Sequence, residues 1–284
     1  MLSSHSPPSI IRGGTLTTAR GINDHGVIVG AYRIVPPRHA LLIRAGQYIP
    51  LAPTTILGTD FSEAFKINDL GDLVGYFVDA NGFSHGFLLS NGVLTTLDFP
   101  GARQSIAVGI NASGAVVGYW ELDDANGNPL VDHGFTWKDG DFTQFDFPGA
   151  ADTYVEGIND RGDLVGGWDT AITSPIEHGF KCSQAQCVSF DVPVSATVTQ
   201  GDDINAQGDI AGAWVDVGGL AHGFLLSKGN FTILDFPGAA DTVPFGINAA
   251  GQIVGRYALA DGSNHGFLAQ PGNIAKPPRL GGLR

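Results

Sequence analysis

Three features of this 284-residue sequence predict an all-β protein built as a six-bladed β-propeller, with four antiparallel strands in each blade. The first is a repeat. An Ile-Asn pair, with Gly three residues after the Asn, occurs six times, at Asn23, Asn68, Asn111, Asn159, Asn205 and Asn248, a mean period of 45 residues. The second is a register with the same period. His39, His85, His133, His178, His222 and His265 each open an apolar strand, usually as His-Gly-Phe. The third is composition: 41 Gly and 16 Pro with only 15% charged residues suit a turn-dense β fold and exclude a helical bundle, a collagen or a disordered chain. Four short strands in about 45 residues make a propeller blade, whereas a parallel β-helix uses shorter rungs and a horseshoe needs helices. Six periods leave no room for a second domain, so 1–284 is expected to be one propeller domain with 275–284 as a flexible tail.

Within a period, alternation and turn residues place each element in order, and the fourth copy shows them best. Its first strand is read at Thr153 to Asn159 and its second at Asp163 to Asp169. The Asn-x-x-Gly between them is a tight hairpin, in which Gly takes the left-handed conformation and Asn bonds the turn's backbone. A link of six to twelve polar residues leads to the third strand, Glu177 to Cys182. A short turn then gives the fourth, Cys187 to Asp191. Elsewhere that strand ends in Asp-Phe-Pro-Gly-Ala, at residues 98–102, 146–150 and 235–239, where Pro stops the ladder and Gly starts the crossover to the next blade.

The Phe of His-Gly-Phe and apolar pairs such as Leu73-Val74 are expected to pack between neighbouring blades, with Gly75, Gly118 and Gly166 at close backbone approaches. Closure of the ring is the weak point. Pro277 and Pro278 fall where the last blade's fourth strand would run, and Ser9-Ile10-Ile11-Arg12 is predicted to supply that outer strand instead.

The run Gly-Ile-Asn-Asp-x-Gly-x-hydrophobic-Val-Gly, followed by His-Ala-Leu at His39-Ala40-Leu41 or by His-Gly-Phe, resembles the HAF-type extracellular repeat proteins of bacteria. The resemblance implies a secreted or surface propeller-like protein. It brings no catalytic residues with it.

The formal charge of −13 opposes a phosphate backbone, so nucleic acid is not an expected partner. No apolar run reaches the length of a membrane span, and no membrane insertion is expected. The first residues, MLSSHSPPS, do not form a signal peptide, so the chain is either cytosolic or the mature form of an exported protein. Cys182 and Cys187 bear on that choice, because they flank a short turn and would face each other across two strands. A disulfide there implies an oxidising compartment: secreted, periplasmic or cell-surface. Free thiols and half of a metal site are the rival readings, although no second Cys or His pair completes zinc spacing.

Six histidines at one repeat position suggest a metal, but the third strand of a blade lies too far from the axis for a shared ion. Bonds from buried His to backbone explain the position better, so no metal site and no cofactor is expected. Asn159-Asp160-Arg161-Gly162-Asp163 superficially resembles a calcium loop, which keeps calcium as the one candidate ion, yet turn chemistry accounts for it. The Arg161-Gly162-Asp163 tripeptide and the sequon at Asn111 belong to the repeat itself. GxSxG, HExxH, Walker A and dinucleotide signatures are absent from the sequence.

Variation among copies concentrates in the links between second and third strands, which share a face with the blade crossovers. That face is expected to carry the acids Asp79, Glu121, Asp152, Asp169, Asp216 and Asp241. It is also expected to carry the aromatics Tyr32, Tyr76, Trp120, Trp168, Trp214 and Tyr257 and the cations Arg33, Arg103 and Arg256. The acids either attract a cationic ligand or only keep the chain soluble, and the aromatics either stack on a sugar or peptide or pack between blades. The function expected is a monomeric binding module for a glycan, peptide or surface protein. The alternative is a propeller hydrolase or lyase acting on polysaccharide, with acid and base drawn from different blades.

Overall fold

The computed structural model describes residues 16–33, 38–51, 61–123, 129–171, 176–184 and 186–271. They form six antiparallel sheets arranged as a six-bladed β-propeller, as the repeat predicts, and no helix occurs among them. Blade 1 holds β1 (Leu16–Ile22), β2 (Ile28–Arg33), β3 (His39–Arg44) and β4 (Gln47–Pro50). Blade 2 holds β5 (Phe61–Ile67), β6 (Leu73–Val78), β7 (Ser84–Ser90) and β8 (Val93–Leu97). Blade 3 holds β9 (Gln104–Ile110), β10 (Val116–Asp123), β11 (Pro129–Lys138) and β12 (Asp141–Phe145). Blade 4 holds β13 (Asp152–Ile158), β14 (Leu164–Asp169), β15 (His178–Ser183) and β16 (Gln186–Phe190). Blade 5 holds β17 (Ala196–Ile204), β18 (Ile210–Asp216), β19 (Ala221–Ser227) and β20 (Asn230–Ile233). Blade 6 shows three strands among the described residues, β21 (Asp241–Ile247), β22 (Ile253–Ala258) and β23 (Asn264–Ala269). The segment predicted to complete it, Ser9 to Arg12, and the tail 275–284 lie outside the described residues.

The core is divided into six wedges, each between two neighbouring blades. Val29 and Ala40 of blade 1 pack on Phe77 and Phe87 of blade 2, and Val254 of blade 6 packs on Ala19 and Ile22 of blade 1. The Phe of each His-Gly-Phe is the wedge's anchor. Phe87, Phe135, Phe180 and Phe224 are among the most deeply buried large side chains. The glycine of each second strand is demanded by the strand beside it. A Cβ at Gly75, Gly118 or Gly166 would overlap the carbonyl oxygen of Glu63, Ile106 or Tyr154.

The ring closes at the hairpin end through its asparagines. Each Asn Oδ1 accepts backbone N–H groups of its own turn, as Asn159 does from Arg161 and Asp163, both at 3.0 Å. Each Nδ2 donates to the backbone carbonyl of the next blade's Asn. The chain of bonds runs from Asn23 to Asn68, Asn111, Asn159, Asn205 and Asn248, and Asn248 returns to Asn23 at 3.1 Å. One buried side chain therefore shapes the hairpin and joins its blade to the next.

The outer rim is joined by a second repeated device. The aromatic two residues after the second-strand Gly stacks on the His that pairs with it, as Trp120 on His133 (4.8 Å between ring centres) and Trp214 on His222 (4.4 Å). That His turns Nδ1 to the carboxylate at the end of the fourth strand: His85 to Asp98, His133 to Asp146, His178 to Asp191 and His222 to Asp235. After Asp98, Asp146 and Asp235 the next residue is Phe and reaches forward onto the following blade's aromatic, Phe99 on Trp120, Phe147 on Trp168 and Phe236 on Tyr257, whereas Val192 follows Asp191. This corrects the expectation of buried histidines on backbone. The rings are half-buried and bond carboxylates, because the aromatic covers only one of their faces.

Candidate functional site

In every blade the innermost strand bulges three residues before its Asn, at Arg20, Phe65, Val108, Glu156, Asp202 and Phe245. A bulged residue has no ladder partner and its side chain is re-aimed. These six point to the axis, where with Lys66, Tyr119 and Gln200 they line a cavity of about 200 Å³. All six blades contribute to it. On the hairpin side, Lys66 Nζ lies 2.9 Å from Asp203 Oδ2 and also meets the Phe245 carbonyl. Blades 2 and 5 stand opposite each other, so this buried ion pair crosses the channel between the cavity and the Asn ring.

Charge is divided between the channel's two sides. On the side of blades 1, 2 and 6, Arg20 Nε lies 2.6 Å from Glu63 Oε1, and Arg38 Nη1 lies 3.1 Å from Glu63 Oε2. The Arg20 guanidinium also lies over the rings of Phe245 and Phe65, 4.1 and 5.0 Å from their centres. Arg256 donates to Asn264 Oδ1 at 3.1 Å. The side of blades 3 to 5 is acidic. Burial pushes Glu156 up to about 7, with Arg20 and Lys66 pulling the other way. Burial and then the charge of Glu156 raise Glu177 to about 8 and Asp202 well above the carboxylate range. Asp132 and Asp169 are raised by burial too, and the Tyr154 hydroxyl donates to Asp132. Glu156 takes a hydrogen bond of 3.1 Å from Gln200 Nε2. Arg38 Nε, Glu177 Oε1 and Asp202 Oδ2 are buried with no hydrogen-bond partner among the described residues.

Glu177 owes its place to a missing side chain. The residue after the second-strand Gly is Tyr76 in blade 2, Tyr119 in blade 3 and Arg256 in blade 6, but Gly167 in blade 4. A Cβ on Gly167 would overlap Glu177 Oε1, so the carboxylate fills the room that an aromatic takes elsewhere.

The residues singled out from sequence separate into two groups. Tyr32, Trp120, Trp168, Trp214 and Tyr257 belong to the rim stacks, and Trp120 is only 5% exposed. Trp120, Trp168 and Tyr257 have a ring on each face, so these three pack between blades. Tyr76 is one residue out of that register, which Phe77 fills by stacking on His85, and so Tyr76 turns toward Glu63. Asp152 and Asp241 accept the backbone N–H of Asp132 and Ala221 in the preceding blade, bracketing the crossover. Asp79 and Asp216 each accept two N–H groups of their own link, which holds both carboxyls below the usual range. Asp169 Oδ1 accepts from Ala171 N–H, and Glu121 gives its carbonyl to Arg103 N–H. The Arg103 guanidinium lies over Phe83, while Arg33 closes β2 with its side chain outside the described residues. Of this set, Tyr76, Arg256 and Asp169 stand with the channel groups. Sequence reasoning missed Arg20, Glu63, Tyr154, Glu156 and Asp202, whereas Arg38 lies in the first copy's variable link, which the sequence marks for its cations. Cys182 and Cys187 form the expected disulfide as a directly opposed pair of β15 and β16. Among the described residues no three His, Cys, Asp or Glu converge as metal ligands.

No protein-family model matches the chain, and no curated protein matches it. Solved structures share its fold at low identity. The β-propeller domain of the Trilobed protease from Pyrococcus furiosus, described as having an open velcro topology, aligns with a TM-score of 0.58 at 9% identity over 91% of this chain and 82% of its own. The acylaminoacyl peptidase of Pyrococcus horikoshii aligns with a TM-score of 0.56 at 12% identity, over 91% of this chain but only 44% of its own. The Aleuria aurantia lectin, in complex with Fucalpha1-6GlcNAc, gives 0.53 at 10% identity over 92% of this chain and 93% of its own. These likenesses show the β-propeller fold and nothing finer.

Proposed function

We propose that the protein is a binding module that takes a glycan or peptide at the channel mouth opposite the Asn ring. The observation that carries this is the group of three buried polar atoms beside the channel, Arg38 Nε, Glu177 Oε1 and Asp202 Oδ2, that have no hydrogen-bond partner among the described residues. A buried polar atom left unbonded costs about 1–3 kcal/mol, and a ligand that bonds it recovers that cost. Guanidinium groups on one wall and carboxyls on the other suit a ligand with both acceptors and donors, such as a sugar's hydroxyls or a peptide's backbone. A lectin among the fold neighbours supports this choice, and the disulfide supports the secreted, periplasmic or cell-surface location that the HAF-type resemblance implies.

Glycan and peptide arrays probed with the wild-type chain and with Glu177→Gln and Arg256→Ala test the assignment. Binding that either variant weakens at least tenfold is the expected result. Binding indifferent to both, or none on either array, overturns it. The polysaccharide hydrolase or lyase reading rests on a different observation: burial holds Glu156 near 7 and Glu177 near 8, where a carboxyl can give or take a proton at neutral pH. Product release from a polysaccharide panel that Glu156→Gln and Glu177→Gln abolish would favour that reading over simple binding.

A further inference from the structure

The cavity at the channel axis is lined by ionisable groups that are unevenly paired. Its two cationic side chains are already matched. Arg20 is held by Glu63 and covered by Phe65 and Phe245, and Lys66 is held by Asp203 and the Phe245 carbonyl. Its two carboxyls are not. Glu156 has the neutral amide of Gln200, and Asp202, only 9% exposed, leaves Oδ2 with no partner among the described residues. The rest of the lining is apolar or aromatic, from Val108, Tyr119, Phe65 and Phe245.

We propose that this cavity binds the primary ammonium group of a small ligand, hydrogen-bonded to Asp202 and Glu156, with the ligand's carbon frame against Tyr119 and Val108. The inference rests on the channel-mouth function above and names its ligand class. An ammonium brings three donors and one positive charge. Two of the donors meet the carboxyls. The third meets Gln200 Oε1, which is free to accept because Nε2 is the atom bonded to Glu156. The ammonium charge favours the ionised form of both carboxyls, whose protons burial otherwise retains. A planar guanidinium fits less well, since the cavity's aromatic clamp is already filled by Arg20. Two carboxyls and an amide also fall short of the six to eight oxygens that calcium requires. A cavity of about 200 Å³ holds a monosaccharide-sized amine or the end of a lysine side chain.

The test is calorimetric titration of the full chain with glucosamine, N-acetylglucosamine, Nα-acetyl-lysine amide and its Nε-acetylated form, repeated with Asp202→Asn. Asparagine keeps the size of Asp202 and is neutral, as is a carboxyl whose proton burial retains, so that variant should fold, which its melting curve checks. One or both amines should bind saturably, their acetylated forms at least tenfold more weakly, and the Asp202→Asn chain should lose the preference. The amine that binds identifies amino sugar or lysine as the source. Equal binding of amine and acetylated forms, an effect of Asp202→Asn below twofold, or binding by neither amine overturns the proposal. Array binding that depends on Arg256 but not on Asp202 would overturn it while leaving the mouth assignment standing. Amine binding lost with Asp202, alongside blank arrays, would do the reverse.

Discussion

Replacing Asn248 by Ala should destabilise the whole ring, because this residue joins the last blade to the first. Three hydrogen bonds go with it: Nδ2 to the Asn23 carbonyl at 3.1 Å, Nδ2 to Gln252 Oε1 at 2.8 Å, and the bond from Gln252 N–H to Oδ1 at 2.9 Å. The Gln252 side chain can turn to water, whereas the Gln252 N–H loses its acceptor and the Asn23 carbonyl loses one of two donors, keeping Gly26 N–H. Two backbone groups that each lose one partner cost about 1–3 kcal/mol each at most, so a loss of about 3 kcal/mol is expected. Urea unfolding followed by the fluorescence of the four tryptophans would show it as a midpoint about 1 M lower, for a slope of about 3 kcal/mol/M. Asn111→Ala is the control, since it breaks the same bond inside the ring, from Nδ2 to the Asn159 carbonyl at 3.1 Å. In a closed ring the two variants should lose similar stability. A clear loss for Asn111→Ala with an unchanged midpoint for Asn248→Ala would show that the last junction is held by something other than this ring.

Stability should fall as pH rises from about 4.5 to about 8. Glu156 and Glu177 keep a proton in the folded chain that the unfolded chain releases at its ordinary value of 4.5, so their contribution is complete below that pH and lost through about 7 and about 8. Each carboxyl is worth about 1.4 kcal/mol per pH unit of its window, and Glu177→Gln should flatten that part of the melting-temperature profile; an equally steep profile in the variant would refute the assignment. Removing the disulfide with paired Cys182→Ala and Cys187→Ala should cost about 2 kcal/mol at most, because the loop it closes is short, at a sequence separation of 5. A loss much beyond that in thermal denaturation would mean that the bridge holds more than its own hairpin.

The blade count, the hairpins and the disulfide were legible because they follow from spacing and from residues with one dominant local use. The Asn of each hairpin was read correctly as a turn residue, but its Nδ2 bond to the next blade lies about 45 residues away and leaves no local sign. Tyr76 shows how register limits such reading. Alternation sends neighbouring residues to opposite faces, so choosing Tyr76 over Phe77 exchanges the rim for the channel. The bulges were hidden more deeply. Nothing in Val155-Glu156-Gly157 announces an extra residue in the strand, and without it Glu156 has no reason to face the axis. One signal was present. The residue before Gly-Ile-Asn or its equivalent is Arg, Phe, Val, Glu, Asp and Phe in successive copies, a position of unlike chemistry inside an otherwise uniform strand.

That signal follows from the mechanics of the ring. A side chain in the rim stacks touches a His, an Asp or a Phe of the same or the preceding blade, so changing it disturbs two sheets at once. The Asn and the second-strand Gly are equally constrained, one by three bonds and the other by a carbonyl pressed against its Cα. The bulged residue meets no ladder partner and projects into open space, so it can change its chemistry without cost to the blade that carries it. Blade 4 shows the same freedom at Gly167, where giving up one side chain admits Glu177. Diversity in a repeat of this kind therefore accumulates at the axis as well as in the loops. A ligand that reads this chain has its most individual contacts there, at Arg20, Glu156, Glu177 and Asp202.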